Sequence, residues 1–271
     1  MLWITPRSCS CLLEAYMCEL LGFSAREQYD LSPWLKIFFS HGAQNPNGWG
    51  LARNIEGDPV IDREPQPAST SAYAAAIASR PQPQVLTLAH LRKATVGDVS
   101  LENCHPLYQK DHSGRGWLLV HNGTVFMGLS SFDYQGRTKG STDSEWILLY
   151  LLDRLDSESA RKGRILTAEE RFAVLEDGIS TLSYRNKMNL LLSDGEILYV
   201  HANMRDTLFY KKLNDGILIA TVPLDDLGWE PVPLTQLLAY RKGQLLYEGA
   251  PHGKEYVSGL EKLPLDLNFA I

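Results

Sequence analysis

The stretch Met17-Cys18-Glu19-Leu20-Leu21-Gly22 places a thiol directly before a short apolar run. A thiolate is a strong nucleophile, but an ordinary thiol is mostly protonated at neutral pH, so a base must stand beside it. Polar clusters interrupt apolar runs elsewhere: Ala89 through Gly97, Asn103-Cys104-His105-Pro106, His121-Asn122-Gly123, and Ser141-Thr142-Asp143-Ser144-Glu145. They hold amide donors suited to an oxyanion, an arginine suited to a carboxylate, and a carboxylate suited to an ammonium. Each cluster also has a plain structural reading. Arg92 suits a strand end, Thr95 a turn and His105 a core position, while Asn122-Gly123 matches a type I′ hairpin and Asp143 a helix N-terminus.

In order along the chain, "MCELLG", "NGWG", "AHLR", "ENCHP", "HNG", "STDSE" and "NLLLSDG" resemble the class II glutamine amidotransferases, which are N-terminal nucleophile hydrolases. The likeness is to the small, stand-alone YafJ-type branch and runs from Met17 to at least Val200. It implies an α+β fold, a four-layer αββα sandwich of two antiparallel sheets in which Cys18 opens a central strand. It also implies hydrolysis of the glutamine side-chain amide through a cysteinyl thioester, giving glutamate and ammonia.

The resemblance assigns the nucleophile to Cys18 and the base to its own α-amino group, which titrates near 8 and suits a general base. The Asn122 side-chain amide and the Gly123 backbone N–H would hold the oxyanion. Arg92, with Thr95 beside it, would take the substrate α-carboxylate, and Asp143 the α-ammonium. His105 is expected to support this pocket rather than act as the base. Two positions depart from the sugar-isomerase and phosphoribosyl relatives: Lys93 stands in place of Trp and Val96 in place of His. Asn47 replaces the branch's usual Asp before Gly-Trp-Gly, and can still make a turn hydrogen bond.

A free amine on Cys18 conflicts with the residues before it. The expectation is an extension over 1–17 followed by one domain over 18–271. The extension is read as a misplaced start with initiation at Met17, or as a cleaved propeptide. If it is retained, the chain reads instead as a non-catalytic binding or regulatory protein. A further alternative is a hydrolase of a small γ-glutamyl amide, as in the ergothioneine branch of this fold. The partners implied are glutamine or a γ-glutamyl small molecule and an unidentified protein that accepts ammonia; a homodimer is one reading. No metal or cofactor is implied.

Elements must bring these clusters together. "CELLGFSA", "VLTLAHLR" and "GWLLVHNGTVF" read as strands, and Leu31–Gly42 and "SAYAAAIAS" as helices. Apolar residues at 147, 148, 151, 152 and 155 make a helical stripe over Ser141–Ser157, and Thr142-x-x-Glu145 spells a capping box at its start. Thr167–Leu182 is a second long helix opened by the same pattern. From Lys187 the sequence is mostly strands, with Asp194-Gly195 as a hairpin signal.

The 271 residues carry a net charge of −6 with both signs scattered, which argues against nucleic acid. Four cysteines in a chain this long fit reduced thiols in a cytoplasmic protein, and Cys9-x-Cys11 has no second ligand pair to make a metal site. No run is long enough to span a membrane, and Glu14 interrupts what would be a secretory signal core. Walker, dinucleotide, zincin and serine-hydrolase motifs are absent.

Overall fold

The computed structural model describes residues 18–53 and 58–259. Expectations placed on residues 1–17, including Cys9 and Cys11, lie outside the described residues.

The elements, in chain order, are β1 (Glu19–Asp30), α1 (Ser32–Ser40), β2 (Trp49–Arg53), β3 (Val60–Glu64), α2 (Ala72–Ala78), β4 (Pro83–Leu91), β5 (Leu107–Lys110) and β6 (Gly116–Thr124). They continue with α3 (Asp143–Lys162), α4 (Ala168–Leu182), β7 (Lys187–Ser193), β8 (Ile197–Ala202), β9 (Phe209–Lys212) and β10 (Gly216–Ala220). The last three are β11 (Trp229–Pro231), β12 (Gln236–Arg241) and β13 (Gln244–Glu248). One sheet runs β11-β9-β10-β1-β4-β2-β3 and the other β13-β12-β8-β7-β6-β5. The strand β1 is central to the first and pairs antiparallel with β10 and β4.

Three apolar layers hold the sheets and helices together. Leu21 and Phe23 of β1 pack with Leu35 and Phe38 of α1 and Ile77 of α2 on one outer side. Trp117 and Leu119 of β6 pack with Ile147, Leu151, Leu175 and Ile179 of α3 and α4 on the other. Between the sheets lie Leu20, Leu88, Leu118, Val120 and Leu191. The result is the αββα sandwich. A strand buried on both faces reads as a continuous apolar run rather than an alternating one, which is why β1 shows no period in sequence. At Gly22 an added Cβ would lie 2.7 Å from the Leu191 Cδ1 methyl, so a side chain there would force that leucine to shift.

The capping box at Thr167 forms: its side chain accepts from the Glu170 N–H and the Glu170 carboxylate from the Thr167 N–H. The one expected at Thr142 does not form. Thr142 is the N-cap of α3 but makes no side-chain cap bond. Glu145 turns instead to the preceding loop, accepting the N–H groups of Lys139 and Gly140 at 2.9 Å each. Two nearby orphan donors compete for the carboxylate and win. Asn122-Gly123 is not a hairpin turn either, because both residues lie within β6 and pair with Asn189 and Met188 of β7. The turn signal at Asp194-Gly195 is correct: β7 and β8 are joined there, with Gly195 at φ 92°.

The two capping sequences should behave differently. Thr167→Ala is expected to cost about 1 kcal/mol of stability, as loss of a formed N-cap does. Thr142→Ala should stay within roughly 0.5 kcal/mol. Urea titration of both variants checks the contrast.

Candidate active site

Strand periodicity gathers the site. Side chains alternate faces along a strand, so residues two apart share one. Leu20 of β1, Leu88 of β4, Val120 of β6 and Leu191 of β7 face the space between the sheets. Stepping by two toward one end of the sandwich puts Cys18, His90 and Arg92, Asn122, and Asn189 and Lys187 on that same inner side. The odd residues of β6 face the helices, and His121 accordingly meets α3. Its ring lies 3.1 Å from the Ser144 hydroxyl and 3.0 Å from the Lys187 carbonyl. A carbonyl only accepts, so Nε2 carries the proton and Nδ1 accepts from Ser144.

Cys18 is half-buried at the start of β1. Its Sγ accepts the Lys93 N–H at 3.3 Å and lies 3.3 Å from the Lys93 carbonyl. Burial pushes its thiol pKa up; the Lys93 N–H and the charges of Lys187 and Arg92 pull it down, while Asp143 raises it. The loop carrying Lys93 is pinned by Asn47, whose Oδ1 accepts the Ala94 N–H at 2.9 Å. The side chain of Asn47 thus bonds a distant loop rather than its own turn.

Across the sheet interface the Asn122 Nδ2 donates to the Cys18 carbonyl. Its Oδ1 accepts from Lys187 Nζ at 2.8 Å. Gly123 sits where β6 passes very close to β7: an added Cβ would stand 1.9 Å from the Lys187 carbonyl and 2.4 Å from His121 Nε2. Any side chain at 123 would split the strands. Lys187 itself is buried, and desolvation lowers its pKa to about 7 against the raising effect of Cys18. Sequence reasoning did not single it out. A lysine opening an apolar strand reads as an ordinary surface end, and only the pairing of β7 with the His-Asn-Gly strand could have pointed to it.

The other expected residues bond the backbone around Cys18 and Asn122, except Thr95. Arg92 is buried and donates to the carbonyls of Asp98 at 2.7 Å, Val96 at 3.0 Å and Gly97 at 3.2 Å. Its fork thus holds the loop on which Thr95 stands exposed. Asn103 fastens that loop to α3's approach, donating to the Asp98 carbonyl at 2.9 Å and accepting the Ser141 N–H at 2.8 Å. Asp143, the first residue of α3, accepts the Val125 N–H at 2.7 Å and so fixes the chain just past Gly123. His105 lies behind β6, its Nδ1 accepting the His121 N–H at 3.3 Å and its ring 4.3 Å from that of His90. Burial keeps these histidines neutral: His90 is pushed down to about 3, His105 falls well below the usual value, and His121 is lowered too.

A cavity of about 210 Å³ opens beside Cys18 and Asn122, lined also by Thr207, Phe209, Thr221 and Pro223. Arg92, Thr95 and Asp143 are not in its wall. A larger cleft of about 680 Å³ lies at the opposite end of the second sheet, against Lys110, Arg115, Asp194 and Arg241. None of the expected site residues reaches it.

An αββα sandwich with its polar cluster at the head of a central strand is the architecture of the N-terminal nucleophile hydrolases. The family model for class II glutamine amidotransferases matches residues 17–215, and the chain belongs to that family. It is 31% identical over 193 residues to "Putative glutamine amidotransferase YafJ" of Escherichia coli, covering 69% of this chain and 73% of the relative. It is 30% identical over 274 residues to a "Putative glutamine amidotransferase" of Haemophilus influenzae, covering 89% and 90%. Among solved structures, a "predicted glutamine amidotransferase" from Pseudomonas aeruginosa superposes with a TM-score of 0.62 at 23% identity, covering 85% of this chain and all of that one. Membership supports hydrolysis of the glutamine amide in general terms. No helix among the described residues is long and apolar enough to cross a membrane.

Two consequences can be measured. Gly123→Ala should lose about 1–3 kcal/mol, the usual range for overpacking, and a thermal melt will show it. Neutral buried histidines also link stability to pH. Above pH ~6.5 neither folded nor unfolded imidazoles bind protons; below it the unfolded chain gains protons that His90, His105 and His121 refuse. For His90, pushed down to about 3, stability should therefore fall with acidification from about pH 6.5 toward 3, by about 1.4 kcal/mol per pH unit, and the lowered His105 and His121 act in the same direction. Urea midpoints measured across that window should fall less steeply in His90→Phe.

Proposed function

We propose that this chain hydrolyses the side-chain amide of glutamine, with Cys18 as nucleophile in a chain that begins at that residue. The Cys18 sulfur attacks the γ-carbonyl as its α-amine takes the thiol proton, and the amine then passes that proton to the departing ammonia. A γ-glutamyl thioester forms, and water then releases glutamate and regenerates the thiol. The second Nδ2 hydrogen of Asn122 and the Gly123 N–H hold the oxyanion. Asp143 meets the α-ammonium. Arg92 and Thr95 meet the α-carboxylate, for which the Arg92 fork exchanges carbonyls of the 96–98 loop for substrate oxygens.

The observation that carries this reading is the Asn122 amide reaching across two sheets to Cys18, with Gly123 next to it in a strand that tolerates no side chain. A thiol whose pKa burial raises also needs the nearby base that a terminal amine supplies. A second reading, a γ-glutamyl amide hydrolase, is favoured by the roughly 210 Å³ beside Cys18. Ammonia needs about the ~30 Å³ share of one water. The cavity has room beyond an ammonia for part of a larger amine leaving group.

The test is a chain released by proteolysis to start at Cys18, compared with the 271-residue chain and with Cys18→Ala. The released form should liberate glutamate from glutamine, and the other two should fall at least about 10³-fold below it. Release of amine from γ-glutamyl amides, with none from glutamine, would decide for the second reading. Intact mass of the protein from its own organism reports whether residues 1–17 remain. A mass that includes them, with no turnover of either substrate class, would leave a binding or regulatory protein.

A further inference from the structure

A buried lysine is an expensive choice, because an ammonium loses its hydration unless its surroundings compensate. Lys187 is 5% exposed, at the first position of β7, on the inner side of the sandwich. Among the bonds the lysine makes is one at 2.8 Å to the Oδ1 of Asn122.

A side-chain amide has two donor hydrogens on nitrogen and one acceptor oxygen, and the two ends are nearly the same shape. Only one orientation presents N–H to the nucleophile. In this structure Lys187 takes the oxygen and the Cys18 carbonyl takes one N–H. One hydrogen on Nδ2 is left for a substrate oxyanion. If Oδ1 lost its partner, the amide could swing, and the hole would present an acceptor to a developing negative charge.

We propose that Lys187 is a positioning residue of the active site, whose bond to Asn122 Oδ1 fixes the amide with its nitrogen toward Cys18. The backbone of the same residue contributes to the same end: its carbonyl takes the His121 Nε2–H at 3.0 Å, which holds the strand on which Asn122 sits. The side chain thus orients the donor while the main chain places it. With a pKa of about 7 the amine donates to Oδ1 in either protonation state, and its ammonium form also polarises the amide, making the remaining N–H a better donor. Its charge draws the Cys18 thiol toward the thiolate.

This inference rests on Cys18 and Asn122 acting as proposed above, and its test separates the two. Lys187→Met keeps length and removes the donor; Lys187→Gln removes the charge and keeps an N–H. With glutamine as substrate, Lys187→Met should lower kcat about 10- to 100-fold, below the full loss of an oxyanion donor, with KM changed less than about twofold. Lys187→Gln should recover at least about a third of the lost activity on a logarithmic scale, and neither variant should melt lower than the parent. Lys187→Met at parental kcat would overturn the assignment. So would equal loss in both variants accompanied by a lower melting temperature, which marks simple packing. If the parent protein does not act on glutamine, the ¹⁵N resonance of the Asn122 side-chain amide decides. It should be a single sharp pair in the parent and in Lys187→Gln, and broadened in Lys187→Met. An unchanged pair in Lys187→Met overturns the proposal whatever the substrate.

Discussion

The hydrogen bond from the Asn122 amide to the Cys18 carbonyl joins the two sheets, and the site exists only if it can form. Each sheet supplies one partner from the end of a strand. Both strands must therefore end at the same level and face each other across the inner layer. Much of the fold serves that alignment. Gly22 leaves room for the Leu191 methyl, Gly123 lets β6 approach β7, and Gly50 lets β2 pass the His105 carbonyl, where a Cβ would stand 2.0 Å away. The last two set spacings that side chains would otherwise dictate.

The second constraint is electrostatic. The interior around Cys18 is polar but sparing in charge. Three imidazoles are kept neutral, and Asp143 is opposed by Lys187 and Arg92 around the thiol. In a weakly screened interior, each charge near the sulfur acts strongly. Neutral His105 can bond the β6 backbone, and neutral His121 the β7 carbonyl of Lys187, without adding to that balance.

The strands and helices were legible because their signals are local: the apolar run of β1, the stripe of α3, the capping box of α4 and the hairpin after Ser193. The set of motifs was legible because it occurs in family order. What could not be read was how those residues divide their work. Arg92, Asn103 and Asn47 each bond backbone of the 92–98 loop, Asn47 from 47 residues away, and no motif states that these side chains serve the loop. Glu145 left its cap for two loop amides because tertiary geometry offered better donors. Lys187 was invisible for the plainest reason, since a charged residue at a strand end gives no sign of being buried.

The sulfur of Cys18 is held by the main chain of Lys93, not by its side chain. A contact made by an amide N–H is indifferent to which amino acid contributes it. The loop path, fixed by Asn47 and Arg92, is what must be inherited. Any residue at 93 with a main-chain N–H, so any but proline, can therefore keep that bond to the Cys18 sulfur. Evolution is left free to redraw the rim of the pocket, and so the molecules admitted to it, without disturbing the chemistry underneath.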